Sequence, residues 1–112
     1  MERKNNRFMK VLHLTLKKKW FDMIASGEKK EEYREIKPFW ISRLIGADEK
    51  PLPFTDVMFY YGYKKDRPSM RFEIVSISEG YGRHKWGAET FTHGDVIRSK
   101  KYFVIKLGDR IA

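Results

Sequence analysis

Gly27 is followed by seven polar or charged residues, Glu28-Lys29-Lys30-Glu31-Glu32-Tyr33-Arg34, directly after the amphipathic run Trp20 to Ala25. A glycine closing an apolar helical pattern marks a left-handed C-terminal cap, and the alternation after it is that of a strand. Such a strand puts Glu32 and Arg34 on one face and Tyr33 on the other. A helix end and a strand therefore meet at one charged corner. Apolar residues surround it, so burial is expected there, and buried charges require partners.

The remaining pattern alternates short strands with short helices. Residues 9–16 place Leu12, Leu14 and Leu16 on one face and Val11, His13 and Thr15 on the other, the period of a half-buried strand. Residues 17–26 read as a helix burying Trp20, Phe21, Met23 and Ile24, with Lys17, Lys18 and Lys19 opposing its dipole unless they face an anion. The charged strand spans residues 29–36, and Pro38 suits the first turn of a second helix over 39–45, ended near Gly46. A loop at 47–53, an aromatic strand at 54–61 and a basic turn at 62–68 follow. Residues 70–78 are the longest strand candidate, and their apolar face switches between Ile74 and Val75, predicting a bulge or burial on both sides. Gly80-Tyr81-Gly82 reads as a turn, residues 91–97 as a short helical turn, and residues 102–107 as the strand closing the sheet. About five strands with two or three short helices define an α+β chain. Periodicity alone leaves open whether the sheet closes into a barrel.

Through Gly27, Lys29, Glu32 and Arg34 the corner reads GxKxxExR, which resembles the signature of the ASCH (activating signal cointegrator homology) domain, a family similar to the PUA domain of RNA-modifying proteins. Val11-Leu12-His13-Leu14-Thr15-Leu16, Phe72-Glu73-Ile74-Val75 and Phe103-Val104-Ile105-Lys106-Leu107-Gly108 are similar to the family's strands in order and spacing, so the likeness covers residues 9 to 108. It implies a small mixed PUA-like β-barrel over residues 9–112, preceded by a basic N-terminal extension over residues 1–8. It also implies that the four motif positions line a cleft for a nucleotide or RNA segment. Lys29 and Arg34 would then donate to phosphate or base edges, while Glu32 would accept from an exocyclic amine or orient Arg34. An internal salt-bridge ladder is the competing reading of the same residues.

Some proteins of this kind hydrolyse an acylated cytidine, and others are reported as nucleases. The amidohydrolase-type members pair the motif lysine with a threonine where this chain has Glu32. Attack by a carboxylate would give a labile anhydride in place of an ester, which argues against that specific activity. A small hydrolase acting on a nucleoside or RNA, with Lys29 and Glu32 as acid-base pair, is the alternative to a binding module.

Charge points to the class of partner. The 112 residues carry a net charge of +9, with 41% hydrophobic and 15% aromatic residues, the balance of one folded domain with a basic surface. Residues 1 to 20 hold seven Lys or Arg against one Glu, whereas residues 27 to 37 hold four of each sign and cancel. A neutralised cluster inside a basic surface suits a polyanion such as RNA or a nucleotide, although a basic face can also serve an acidic protein partner or solubility alone. The candidate binding set is Lys17, Lys18 and Lys19 on the rim, Gly27, Lys29, Glu32 and Arg34 in the cleft, and Tyr63, Lys64, Lys65, Arg83 and Trp86 in glycine-containing loops. Tyr63 and Trp86 are expected to be exposed for stacking, while Trp20, Phe21, Phe59, Phe72 and Phe103 are assigned to the core.

Other chemistries lack their residues. There is no cysteine, and His13, His84 and His93 have no metal-ligand spacing, so no metal and no cofactor are expected. Gly80-Tyr81-Gly82 lacks the spacing and the following helix of a dinucleotide fingerprint. Without a signal peptide or an apolar run of spanning length, a cytoplasmic, non-membrane protein is the expectation.

Overall fold

A computed structural model describes residues 9–112; the expected basic extension at residues 1–8 lies outside them. The elements run β1 (Val11–Leu16), α1 (Lys18–Ala25), β2 (Glu31–Glu35), α2 (Pro38–Leu44), β3 (Asp56–Tyr61), β4 (Ser69–Tyr81), a 3₁₀ turn (His84–Trp86), β5 (Thr90–His93), β6 (Val96–Ser99) and β7 (Lys101–Arg110). Five strands form one sheet in the order β1-β3-β4-β7-β2, and β5 and β6 form a separate hairpin. The β1–β3 pair is parallel and the other pairs are antiparallel. The chain is thus α+β, with the large sheet curled into a half-barrel.

The core lies inside the curl. Leu12, Leu14 and Leu16 on β1, Val57 and Phe59 on β3, Met70 and Phe72 on β4, and Phe103 and Ile105 on β7 are all buried there, alternating as period two requires. Ile24 of α1 and Leu44 of α2 plug the same interior. A smaller cluster of Tyr33, Trp86, Ala88, Tyr102 and Val104 covers the other face of β2 and β7. Tyr33 sits opposite Val104 in the ladder, whereas Glu32 and Arg34 sit opposite Ile105 and Phe103 and face the main core.

Three details differ from the sequence reading, and one alternative that it left open is decided. The longest strand extends to Tyr81, so Gly80 and Tyr81 are paired with Tyr102 and Lys101 and are not part of a turn. The ladder partner outweighs glycine's local preference at that point. The switch at Ile74 and Val75 resolves as a bulge, because the register shifts between Phe72 and Ser76 and Val75 is 64% exposed. Residues 91–97 lie in the hairpin, not in a helical turn; Gly94 at φ 62° supplies the left-handed residue between β5 and β6. Finally, β7 lies between β4 and β2, which leaves β1 and β2 as the two edges.

Candidate functional site

The corner forms as its spacing requires. Gly27 takes φ 85° just past α1, and the turn lets the Lys29 amide donate to the Met23 carbonyl at 3.0 Å. This ties Lys29 to the helix before β2 begins. Its side chain is 1% exposed, although it carries an ammonium group. Lys29 Nζ lies 3.2 Å from Glu32 Oε1, donates to the Trp86 carbonyl, and sits 5.1 Å from the Trp20 ring and 4.8 Å from the Tyr33 ring. Burial pulls the Lys29 pKa below its ordinary value, against the opposing attraction of Glu32.

Glu32 links the lysine to the arginine. Its second oxygen accepts from Arg34 Nη1, which also donates to the Tyr33 carbonyl at 2.8 Å. Arg34 Nη2 reaches the Thr15 carbonyl of β1 at 3.4 Å, and the guanidinium lies 5.1 Å from the Trp40 ring. Arg34 therefore spans the seam between the two edge strands, where the half-barrel lacks a backbone ladder. The hydrogen bond to Thr15 is a side-chain substitute for strand pairing.

A cleft of 830 Å³ opens along this seam. Its walls come from β1, from Lys17 and Trp20 at α1, from residues 32–35 of β2, from Phe39, Trp40 and Arg43 of α2, and from Tyr63, Trp86, Gly87 and Glu89. All three tryptophans of the chain thus meet at one hollow, although they lie 20 and 46 residues apart in sequence. The volume falls in the range that encloses a small ligand, roughly 300 to 1,000 Å³. Glu32 has both oxygens engaged but retains further acceptor directions, and Arg34 offers unspent N–H groups. The cleft can therefore combine flat aromatic walls with an acceptor and a donor set side by side.

The expected site residues divide into three groups. Lys17, Glu32, Arg34, Tyr63 and Trp86 line the cleft. Lys29 is buried behind Glu32, and Gly27 acts through the turn. Lys18, Lys19, Lys64, Lys65 and Arg83 lie outside the wall: Lys18 pairs with Asp22 at 2.6 Å, Lys19 covers the Trp20 ring at 4.8 Å, and Arg83 covers the Trp86 ring at 4.7 Å. Tyr63 is 87% exposed, as expected. Trp86 is not, being 7% exposed, because its loop folds down onto Tyr33 and Tyr102. Its indole Nε1 is buried without a hydrogen-bond partner among the described residues.

Trp20, assigned to the core by its position on α1, is half-buried and lines the cleft. Phe39, Trp40 and Arg43 were missed altogether. A signal existed in the pair of aromatics just inside a helix that starts with Pro38, with Arg43 four residues on from Phe39. In the structure Arg43 Nη1 donates to the Phe39 carbonyl at 2.9 Å and its guanidinium stacks 3.4 Å from the Phe39 ring.

Among the described residues, no group of three His, Cys, Asp or Glu is placed to hold a metal ion. No helix among them is long and apolar enough to cross a membrane. Fold and site together define a small α+β half-barrel with an aromatic-walled, charged cleft along its open seam. Compared with models of protein families, with curated proteins and with solved structures, the chain matches none.

Proposed function

We propose that the chain is a cytoplasmic RNA-binding module of the ASCH, PUA-like kind, whose seam cleft takes one nucleotide of a single strand. The observation that carries this reading is the convergence of Trp20, Trp40 and Trp86 with Glu32 and Arg34 on one ligand-sized hollow. Flat rings suit a base, which stacks on any aromatic side chain. The Glu32 and Arg34 pair presents an acceptor beside a donor, the complement of a base edge, and Lys17 and Arg43 on the same lining are cations that suit phosphates flanking the base. The basic surface supplies sequence-independent attraction.

The test is the affinity for short single-stranded RNA, measured by fluorescence anisotropy. Binding should weaken as salt rises from about 50 to 200 mM, and Arg34→Ala should weaken it by roughly tenfold or more. Salt-independent affinity, or an Arg34→Ala protein that binds like the parent, would remove the cleft from RNA recognition.

A second reading is favoured by one observation, the buried Lys29 whose pKa is held down beside Glu32. Such a pair is suited to acid-base work in a small hydrolase acting on a nucleoside or RNA. Incubation with acylated nucleosides and labelled RNA would show turnover that Glu32→Gln abolishes. Turnover that survives this substitution excludes the pair.

A further inference from the structure

The hairpin of β5 and β6 has no part in the cleft wall, yet it starts there. Glu89 lines the cleft, its amide donates to the Tyr102 hydroxyl at 2.8 Å, and its carbonyl accepts from the Lys100 amide at 2.9 Å, which closes the base of the hairpin. Ser99 completes the anchor by accepting from the Gly82 amide at 2.8 Å and donating to the Lys100 carbonyl at 2.7 Å. Beyond that base the two strands pair only with each other. Every residue from Thr90 to Arg98 is exposed.

An exposed two-stranded ribbon with free edges is marginal by itself, so its side chains call for an explanation. Phe91, Val96 and Ile97 are 54%, 49% and 72% exposed. The register sets Phe91 opposite Arg98 and His93 opposite Val96, so these four share one face, while Ile97 falls on the other with Thr90 and Thr92. The apolar groups are thus divided between faces and interleaved with polar ones. A protein-docking surface would gather them into one continuous patch. A ring beside a guanidinium is instead the arrangement that holds a base on a strand of phosphates.

The charge agrees with that occupant. Residues 83–101 hold five Lys or Arg against two acidic residues. Lys100 and Lys101 are engaged with Glu35 and Glu79, but Arg83 and Lys85 contact the Trp86 ring in the loop leading to the hairpin, and Arg98 stands exposed on β6. Three exposed cations, Arg83, Lys85 and Arg98, therefore belong to the hairpin and the loop that leads into it from Trp86 of the cleft wall.

We infer that the β5–β6 hairpin is a second contact for the same single-stranded nucleic acid, with Phe91 stacking on a base and Arg98 contacting its phosphate, next to the nucleotide held in the cleft. This rests on the proposed RNA-binding reading. Four residues per strand reach roughly 13 Å from the base, enough to meet the neighbouring part of a bound strand.

Affinities for a labelled single-stranded RNA ten-mer and for a mononucleotide, measured on the parent and on Phe91→Ala, Phe91→Trp and Arg98→Ala, test the two readings separately. All three substitutions lie on exposed positions, and thermal melts check that each variant folds. The ten-mer should bind about tenfold more weakly to Phe91→Ala, the loss of one stacked base, and near parental strength to Phe91→Trp. Arg98→Ala should lower both affinity and the steepness of its salt dependence. Mononucleotide affinity should be unchanged in all three. Unchanged ten-mer binding by Phe91→Ala and Arg98→Ala would overturn the inference, as would equal losses for both ligands. A parent that binds the ten-mer through Phe91 but no mononucleotide would sink the cleft reading and keep the hairpin. A parent that binds neither, but holds a protein partner through Phe91, would overturn both.

Discussion

Lys29 is the residue on which the corner turns, and its environment makes it a structural element as much as a candidate functional one. The ammonium is enclosed by Glu32, the Trp86 carbonyl and two aromatic rings. Removing it leaves Glu32 buried with Arg34 alone, so Lys29→Met should cost about 3 kcal/mol in urea denaturation, the low end for breaking a buried pair. The pH dependence has a definite sign. With its folded pKa below the ordinary 10.5, the unfolded chain holds this proton more tightly than the folded one. The contribution of Lys29 is therefore fully present above 10.5 and falls as pH drops towards the folded value. The stability difference between parent and Lys29→Met should grow in the parent's favour as pH rises towards 10.5, and a flat or shrinking difference would contradict the assignment. The shared face of Glu32 and Arg34 was legible because side chains in a strand alternate. The burial of Lys29 was not, because it precedes β2 and its path depends on how the α1 turn packs against a loop more than fifty residues away.

Among the elements, the loop over residues 82–89 decides the shape of the cleft. Three side chains from other elements clamp its backbone: Ser99 at the Gly82 amide, Tyr33 at the Arg83 amide and Tyr102 at the Glu89 amide. Tyr33→Phe removes the acceptor for the Arg83 amide, 2.9 Å from the hydroxyl, and should cost about 1 to 2 kcal/mol. Hydrogen exchange should show the Arg83 amide losing protection while amides of β3 keep theirs. Gly87 is held more tightly still. It adopts φ 105°, and a methyl group there would sit 3.1 Å from Trp20 Cζ2. Gly87→Ala should lower the melting stability by at least about 1 kcal/mol through backbone strain and displace the Trp20 ring, visible as a change in tryptophan emission. In sequence this glycine reads only as punctuation. The helices and most strands were legible from period and capping residues, but the hairpin was misread because a short, exposed segment carries no apolar period strong enough to identify it.

For the molecule as a whole, the open seam is the organising feature. The sheet ends at β1 on one side and β2 on the other, Arg34 bridges them, and the tryptophans gather where the ladder is missing. Because every tryptophan in the chain lines this cleft, a ligand entering it should change intrinsic fluorescence strongly. Titration with short single-stranded RNA should alter emission in step with the anisotropy signal. Binding without any emission change would place the ligand elsewhere on the basic surface. A core substitution such as Phe59→Ala, fully buried, should cost about 3 to 5 kcal/mol whatever the ligand, and serves to separate loss of fold from loss of site.

Local pattern was enough to settle the α+β composition, the left-handed turn at Gly27, and the side on which Glu32 and Arg34 project. Those properties depend on residues within one or two turns of each other, where sterics and alternation act directly. The cleft depended on the assembled chain. Trp20, Trp40 and Trp86 come together only because β2 pairs with β7, seventy residues downstream, while β1 joins the far edge beside β3. Such long-range pairings are selected by the burial of the whole apolar set, and no short window of sequence contains that information.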